Sequence, residues 1–148
     1  METAQGLRIR GIRQRDLPDI LDVDRRITGG SGPSGDRSAA SNHFWTYHPP
    51  LSFVAELNGR IIGFVIGTIG GAEYSLPDCG WINVVGVDPE YQGQGAGRAL
   101  VKHFADTCQK KGIRARCLIP RRTGRFEKML LSLGFKHGEL VDFVRDIE

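Results

Sequence analysis

Residues 87–100, VDPEYQGQGAGRAL, space three glycines one residue apart at Gly93, Gly95 and Gly97. The preceding run WINVVGV, residues 81–87, is apolar and β-branched and reads as a strand. Beyond the glycines, Leu100, Val101, Phe104, Ala105 and Cys108 recur at helical spacing. Lys110 and Lys111 suit the last turn of that helix and Gly112 its stop. A strand, a glycine turn and a helix are the parts of a phosphate cradle. The first amides of a helix have no intrahelical acceptor, the helix dipole adds positive potential, and glycine lets an anion approach closely.

Two nucleotide cradles fail at the residue level. A Walker loop ends in Gly-Lys-Ser/Thr, whereas Arg98 and Ala99 follow Gly97. A dinucleotide fingerprint needs a further glycine near Leu100 and an acid closing the next strand, where the chain has Pro120, Arg121 and Arg122.

Upstream, LRIRGI (residues 7–12) alternates apolar and basic residues as a half-buried strand does, leaving Arg8, Arg10, Arg13 and Arg15 on a solvated face. A helix follows, with Asp16 as its cap, Pro18 in its first turn, Asp19 complementing its positive end, and Leu17, Ile20 and Leu21 as its buried stripe. Residues 28–42 hold four glycines and four serines, the composition of a mobile loop, before the aromatic cluster Phe44, Trp45 and Tyr47. LSFVAELNGRIIGFVIGTI (51–69) is a hairpin around Asn58-Gly59, a type I′ pair. Downstream, IRARCLI (113–119) reads as a strand. Phe126, Met129, Leu130 and Leu133 mark a helix ended by Gly134, and ELVDFVRDI (139–147) reads as a final strand. The expected fold is α/β in the broad sense (α+β): a mixed, largely antiparallel sheet flanked by helices, with one central β-α-β crossover. Residues 1–148 are expected to form one domain.

Composition sets bounds on partners. A net charge of +3 with no basic block argues against nucleic acid. No apolar run is long enough to span a bilayer, and the N-terminus shows no secretory pattern. Cys79, Cys108 and Cys117 are odd in number and widely spaced, as expected of free thiols in the cytoplasm. His43 and His48 lack metal-ligand spacing, so no metal is expected.

Gln92-Gly93-Gln94-Gly95-Ala96-Gly97 matches Gln/Arg-x-x-Gly-x-Gly/Ala, the pyrophosphate signature of the GNAT family of N-acetyltransferases, and the element order matches as well. The chain resembles that family over nearly its whole length. The resemblance implies acetyl-coenzyme A as co-substrate, its pyrophosphate on the backbone of Gln92, Gly93, Gln94, Gly95, Ala96, Gly97 and Arg98. It implies a pantetheine arm pairing with Val85, Gly86 and Val87, and the Val85 N–H facing the thioester oxygen. Gly86 fits either a bulge, a close ligand approach or a simple packing notch. Many relatives carry a tyrosine acid where this chain has Leu130. For the general base, the family pattern points to Asp78, directly or through water, with Glu73 and Tyr74 behind it. Asp78 is equally readable as a turn residue in LPDCG. With no histidine near Cys79 or Cys117 in sequence, direct transfer to a primary amine, on a small molecule, peptide or protein, is expected over an acyl-cysteine route. Residues 28–42 and the segment 137–144, with Asp36, Glu139 and Asp142, are expected to line the acceptor side. The resemblance also admits a homodimer through terminal strands, and the alternative of a non-catalytic acetyl-coenzyme A sensor.

Overall fold

The computed structural model describes residues 6–29, 47–120 and 124–147. It divides into two compact units, Met1–Leu118 and Ile119–Glu148.

The first unit is built on a five-stranded sheet in the order β1 (Leu7–Gly11), β2 (Phe53–Leu57), β3 (Arg60–Gly70), β4 (Cys79–Val87) and β5 (Arg114–Cys117). All neighbours are antiparallel except β4 and β5, which are parallel. The connection between those two is the helix α2 (Ala96–Lys110), giving the single β-α-β crossover that the sequence predicts. The hairpin turn forms at Asn58 and Gly59, both at positive φ (51° and 80°), as a type I′ pair requires. Helix α2 buries Leu100, Val101, Phe104 and Cys108 completely, a stripe repeating at i, i+1, i+4 and i+8. Burying each large apolar side chain contributes about 2 kcal/mol, which seats the helix against the sheet.

Helix α1 (Leu17–Thr28) covers the other face. Its buried residues are Ile20, Val23 and Asp24, while the predicted Leu17 and Leu21 are only half-buried. Asp16 does not cap α1. Its carboxylate turns back, accepting the Arg13 N–H at 2.7 Å and both terminal nitrogens of Arg10 at 2.8 and 2.9 Å. Arg10 also donates to Glu56 at 2.7 Å, so it is a half-buried clamp between β1, β2 and the start of α1 and not part of a solvated face. The guanidinium of Arg10 holds the Asp16 carboxyl below the usual carboxylate range.

In the second unit, α3 (Gly124–Ser132) ends at Gly134, φ 90°, with Leu130 buried. The predicted final strand does not form. Residues 139–147 carry no regular structure, and Val141, Phe143, Val144 and Ile147 are all exposed. A strand needs a ladder partner or a buried face, and this segment has neither among the described residues of its unit. β5 is also shorter than predicted, ending at Cys117. Most of the loop 28–42, with His43, Phe44 and Trp45, lies outside the described residues.

Candidate active site

β4 is longer than its partner. β5 pairs with it only from Cys79 to Ile82, so residues 83–87 run on with no β5 beside them. The opposite edge of that stretch remains bound to β3, with Val84, Val85, Gly86 and Val87 opposite Ile66, Val65, Phe64 and Gly63. An antiparallel ladder alternates bonded and non-bonded pairs. Because Asp88 N–H donates to Ile62 O (2.7 Å), Gly86 belongs to a bonded pair, and the N–H and C=O of Val85 and Val87 turn to the other edge, where β5 is absent. Gln92 Nε2 reaches the Val87 carbonyl from that side at 3.1 Å.

The irregularity that opens the strands is at Asn83. The register shifts between Ile66/Gly67, which leaves Asn83 as the extra residue on β4. Its side chain is held by donation from Nδ2 to Thr68 Oγ1 at 2.8 Å. A polar residue inside the run WINVV is the signal that could have located this bulge. Gly86, in contrast, stays in register. A Cβ there would lie 2.7 Å from Ile27 Cδ1 and 3.0 Å from Phe64 Cζ, so of the three readings of this glycine the packing notch is the one the geometry carries.

The strand then enters the glycine loop through Asp88, which is fully buried. Its Oδ2 accepts from Arg26 Nε of α1 (2.8 Å) and lies 3.8 Å from Arg60, while Oδ1 caps the short turn Pro89–Tyr91 through the Glu90 N–H (3.1 Å). The sequence reading missed this anchor, although Asp before Pro is a recognisable turn cap. Gln92, Gly93 and Gln94 are exposed, Gly95 and Ala96 buried, and Gly97 and Arg98 half-buried. Gly93 and Gly95 take left-handed φ values of 82° and 89°. Gly95 is the N-cap of α2 and has no side chain with which to cap it, so among the described residues the first-turn amides of Ala96 and Gly97 receive no bond from the N-cap side chain. A Cβ on Gly93 would meet nothing within 4 Å, and one on Gly97 only Val87 Cγ2 at 3.5 Å. Both positions of the loop thus have open space where a side chain would otherwise stand. A separate groove lies along α2 on the side of β1, lined by Ile9, Gly95, Arg98, Lys102, His103 and Asp106.

The proton-transfer candidates are placed differently. Asp78 is exposed at the foot of β4. Seven residues of strand separate it from Val85, roughly 20 Å at about 3.3 Å per residue, so the structure does not bring the two together. Glu73 and Tyr74 belong to the short turn Ala72–Tyr74 at that same distant end, where Tyr74 stacks on Trp81. Glu139 and Asp142 are exposed, and Asp36 is outside the described residues. The cysteines are free. Burial pushes the thiols of Cys108 and Cys117 up to about 11, which keeps both protonated and non-nucleophilic near neutral pH. Among the described residues no group of three or more His, Cys, Asp or Glu side chains is disposed to hold a metal ion. Among the described residues no helix is long and apolar enough to cross a membrane.

Residues 17–122 match the acetyltransferase (GNAT) family model. The chain is 30% identical to the ribosomal protein bS18-alanine N-acetyltransferase of Escherichia coli K12 over 133 residues, 89% of this chain and 82% of that protein. Its fold is similar to that of a ribosomal-protein-alanine N-acetyltransferase from Brucella melitensis biovar Abortus 2308 (TM-score 0.72, 16% identity, 96% and 99% of the two chains). It is likewise similar to that of the aminoglycoside N-acetyltransferase AAC(6')-Iy in complex with CoA (TM-score 0.69, 19% identity, 95% and 94%). Nothing in these likenesses supports a non-catalytic sensor. The sheet with its open β4 edge, the glycine loop at the head of α2 and these relationships together make the chain a member of the GNAT acetyltransferase family and an N-acetyltransferase.

Proposed function

We propose that residues 1–148 act as one acetyltransferase domain that moves the acetyl group of acetyl-coenzyme A directly to a primary amine while both are bound. The observation that carries the reading is the edge of β4 that β5 leaves uncovered beyond Ile82, leading into a glycine loop at the head of α2. Acetyl-coenzyme A supplies a thioester whose carbonyl carbon is open to attack by a neutral amine.

The backbone from Gln92 to Arg98 binds the diphosphate. Val85 and Val87 offer strand-like hydrogen bonds to the amide-bearing arm, and the Val85 N–H is aimed where negative charge develops on the thioester oxygen. Asn83 and the Arg26–Asp88–Arg60 cluster keep those groups fixed, so positioning costs little reorganisation during the reaction. Leu130 is buried and apolar, so no acid acts from that position and the thiolate leaves without its help. The raised thiols of the buried Cys108 and the half-buried Cys117 support transfer without an acyl-cysteine.

For the acceptor, the 30% identity to a protein-alanine N-acetyltransferase favours a peptide N-terminus over a small polyamine or aminoglycoside. We place the protein in the cytoplasm on its three unpaired cysteines. The exposed Val141, Phe143, Val144 and Ile147 favour a homodimer in which this segment finds a strand partner on a second copy. Light scattering of the full chain and of a chain ending at residue 138 tests that assembly.

The activity is tested by CoA release from acetyl-coenzyme A with an alanine-initiated hexapeptide and with sisomicin. Amine-dependent release with the peptide is expected, and release that no amine accelerates overturns the reading.

A further inference from the structure

We infer that the carboxylate of Asp24 receives the acceptor ammonium and takes its first proton. The inference rests on the transfer proposed above and names the group the amine meets.

Asp24 is 4% exposed, and among the described residues its Oδ2 has no hydrogen-bond partner. An unsatisfied buried acceptor costs folding free energy, and more when it is charged. Position 24 falls in the buried stripe of α1 beside Ile20 and Val23, where an apolar residue would fold at lower cost. The polar face of the helix is carried separately by the exposed Asp19, Asp22, Arg25 and Arg26. A buried acceptor without a partner calls for an explanation, and a ligand that completes it is one.

Its direction follows from its neighbours. Arg26, two residues on, binds Asp88 at the C-terminal end of β4. Two residues are about 200° around a helix of 3.6 residues per turn, so Asp24 lies on the opposite flank. Leu17, two turns back on that flank, packs against the core cluster that holds Ile20, Val23, Phe64 and Ile66, against which Tyr47 and Val84 also pack. On β3, Phe64, Ile66 and Thr68 alternate onto this same face of the sheet, and Thr68 holds Asn83 there. The carboxylate of Asp24 and the Oδ1 of Asn83 are thus two acceptors on one face, beside the stretch of β4 whose other edge is open. An ammonium supplies up to three donors to such a pair.

The step balances. The ammonium R–NH3+ gives one proton to Asp24 and becomes a neutral nucleophile. Its nitrogen forms the C–N bond to the acetyl carbon as the C–S bond breaks. The electron pair leaves on sulfur, which takes the second amine proton, and Asp24 returns its proton to solvent.

Three variants test this. Asp24→Asn is expected to lower kcat/KM for the alanine-initiated hexapeptide at least on the order of a hundredfold. Its Kd for acetyl-coenzyme A should be that of the wild type. Asp24→Leu is expected to be equally inactive yet to melt no lower than the wild type, because removing an orphan acceptor for a packed apolar group does not destabilise. Asp24→Glu should recover part of the lost rate. Wild-type kcat/KM in Asp24→Asn overturns the assignment while leaving the transfer reaction standing. A fall in Tm in Asp24→Leu that matches its loss of activity also overturns it, since that is what a structural role gives. A wild-type protein that binds acetyl-coenzyme A but shows no amine-dependent CoA release overturns the proposed transfer and this role together.

Discussion

Arg26 near the C-terminus of α1 donates its Nε to the fully buried Oδ2 of Asp88, 62 residues away, at 2.8 Å. This bond ties the helix over the sheet to the turn that delivers the chain into the glycine loop. Removing one member of a buried charge pair leaves the other uncompensated and costs about 3–5 kcal/mol. Here Arg26 is 41% exposed and water relieves it in part, so Asp88→Ala is expected to lose about 3 kcal/mol in urea unfolding. Its affinity for acetyl-coenzyme A should fall as well, because the turn Pro89–Tyr91 loses its cap.

Gly86 is fixed by packing. Gly86→Val is expected to lose about 1–3 kcal/mol by crowding Ile27 and Phe64. The nearest obstacle is the single atom Ile27 Cδ1, so Ile27→Val, which removes it, should restore part of that loss. A double-mutant cycle by thermal unfolding measures the coupling.

Asp16 titrates low in the folded chain because Arg10 donates to it. A carboxylate with a depressed folded pKa contributes stability that is fully present above its unfolded pKa of about 3.9 and is lost as pH falls through the folded value. Asp16→Asn is therefore expected to be less stable than the wild type at pH 7. The gap should narrow steadily below about pH 4, as urea midpoints at successive pH values will show.

Asp78 lies at the opposite end of β4 from Val85, where the proposed transfer puts the thioester. Asp78→Asn is expected to keep kcat/KM within about twofold of the wild type. Cys117→Ser should do the same, and mass spectrometry after incubation with acetyl-coenzyme A alone should find no acetylated protein.

Most of this architecture is legible from residue spacing. The I′ pair Asn58-Gly59, the stripe from Leu100 to Cys108 and the stops at Gly112 and Gly134 are local signals, and each acts where it is read. The misses are relationships across the chain. Asp16 is a good cap by type, but Arg10 outbids the helix for its carboxylate. Segment 139–147 alternates like a strand, yet strand formation depends on a neighbour that local sequence does not name. Gly86 advertises a bulge that occurs three residues earlier, at Asn83, because register is set by both strands. The position of the glycine loop at the head of α2 was readable because a turn into a helix start is a local pattern. The proton-transfer groups were not, since they depend on which side chains the fold brings opposite one another.

The most direct test is calorimetry of acetyl-coenzyme A on the wild type and on Gly97→Leu. Position 97 has no positive φ, and a Cβ there touches only Val87, so the variant should fold with an unchanged melting temperature while its side chain covers the first amides of α2. Losing hydrogen bonds to a charged diphosphate should cost about 3 kcal/mol, or about a hundredfold in Kd. A folded Gly97→Leu protein that binds acetyl-coenzyme A as tightly as the wild type would contradict the assignment of the glycine loop as the diphosphate site.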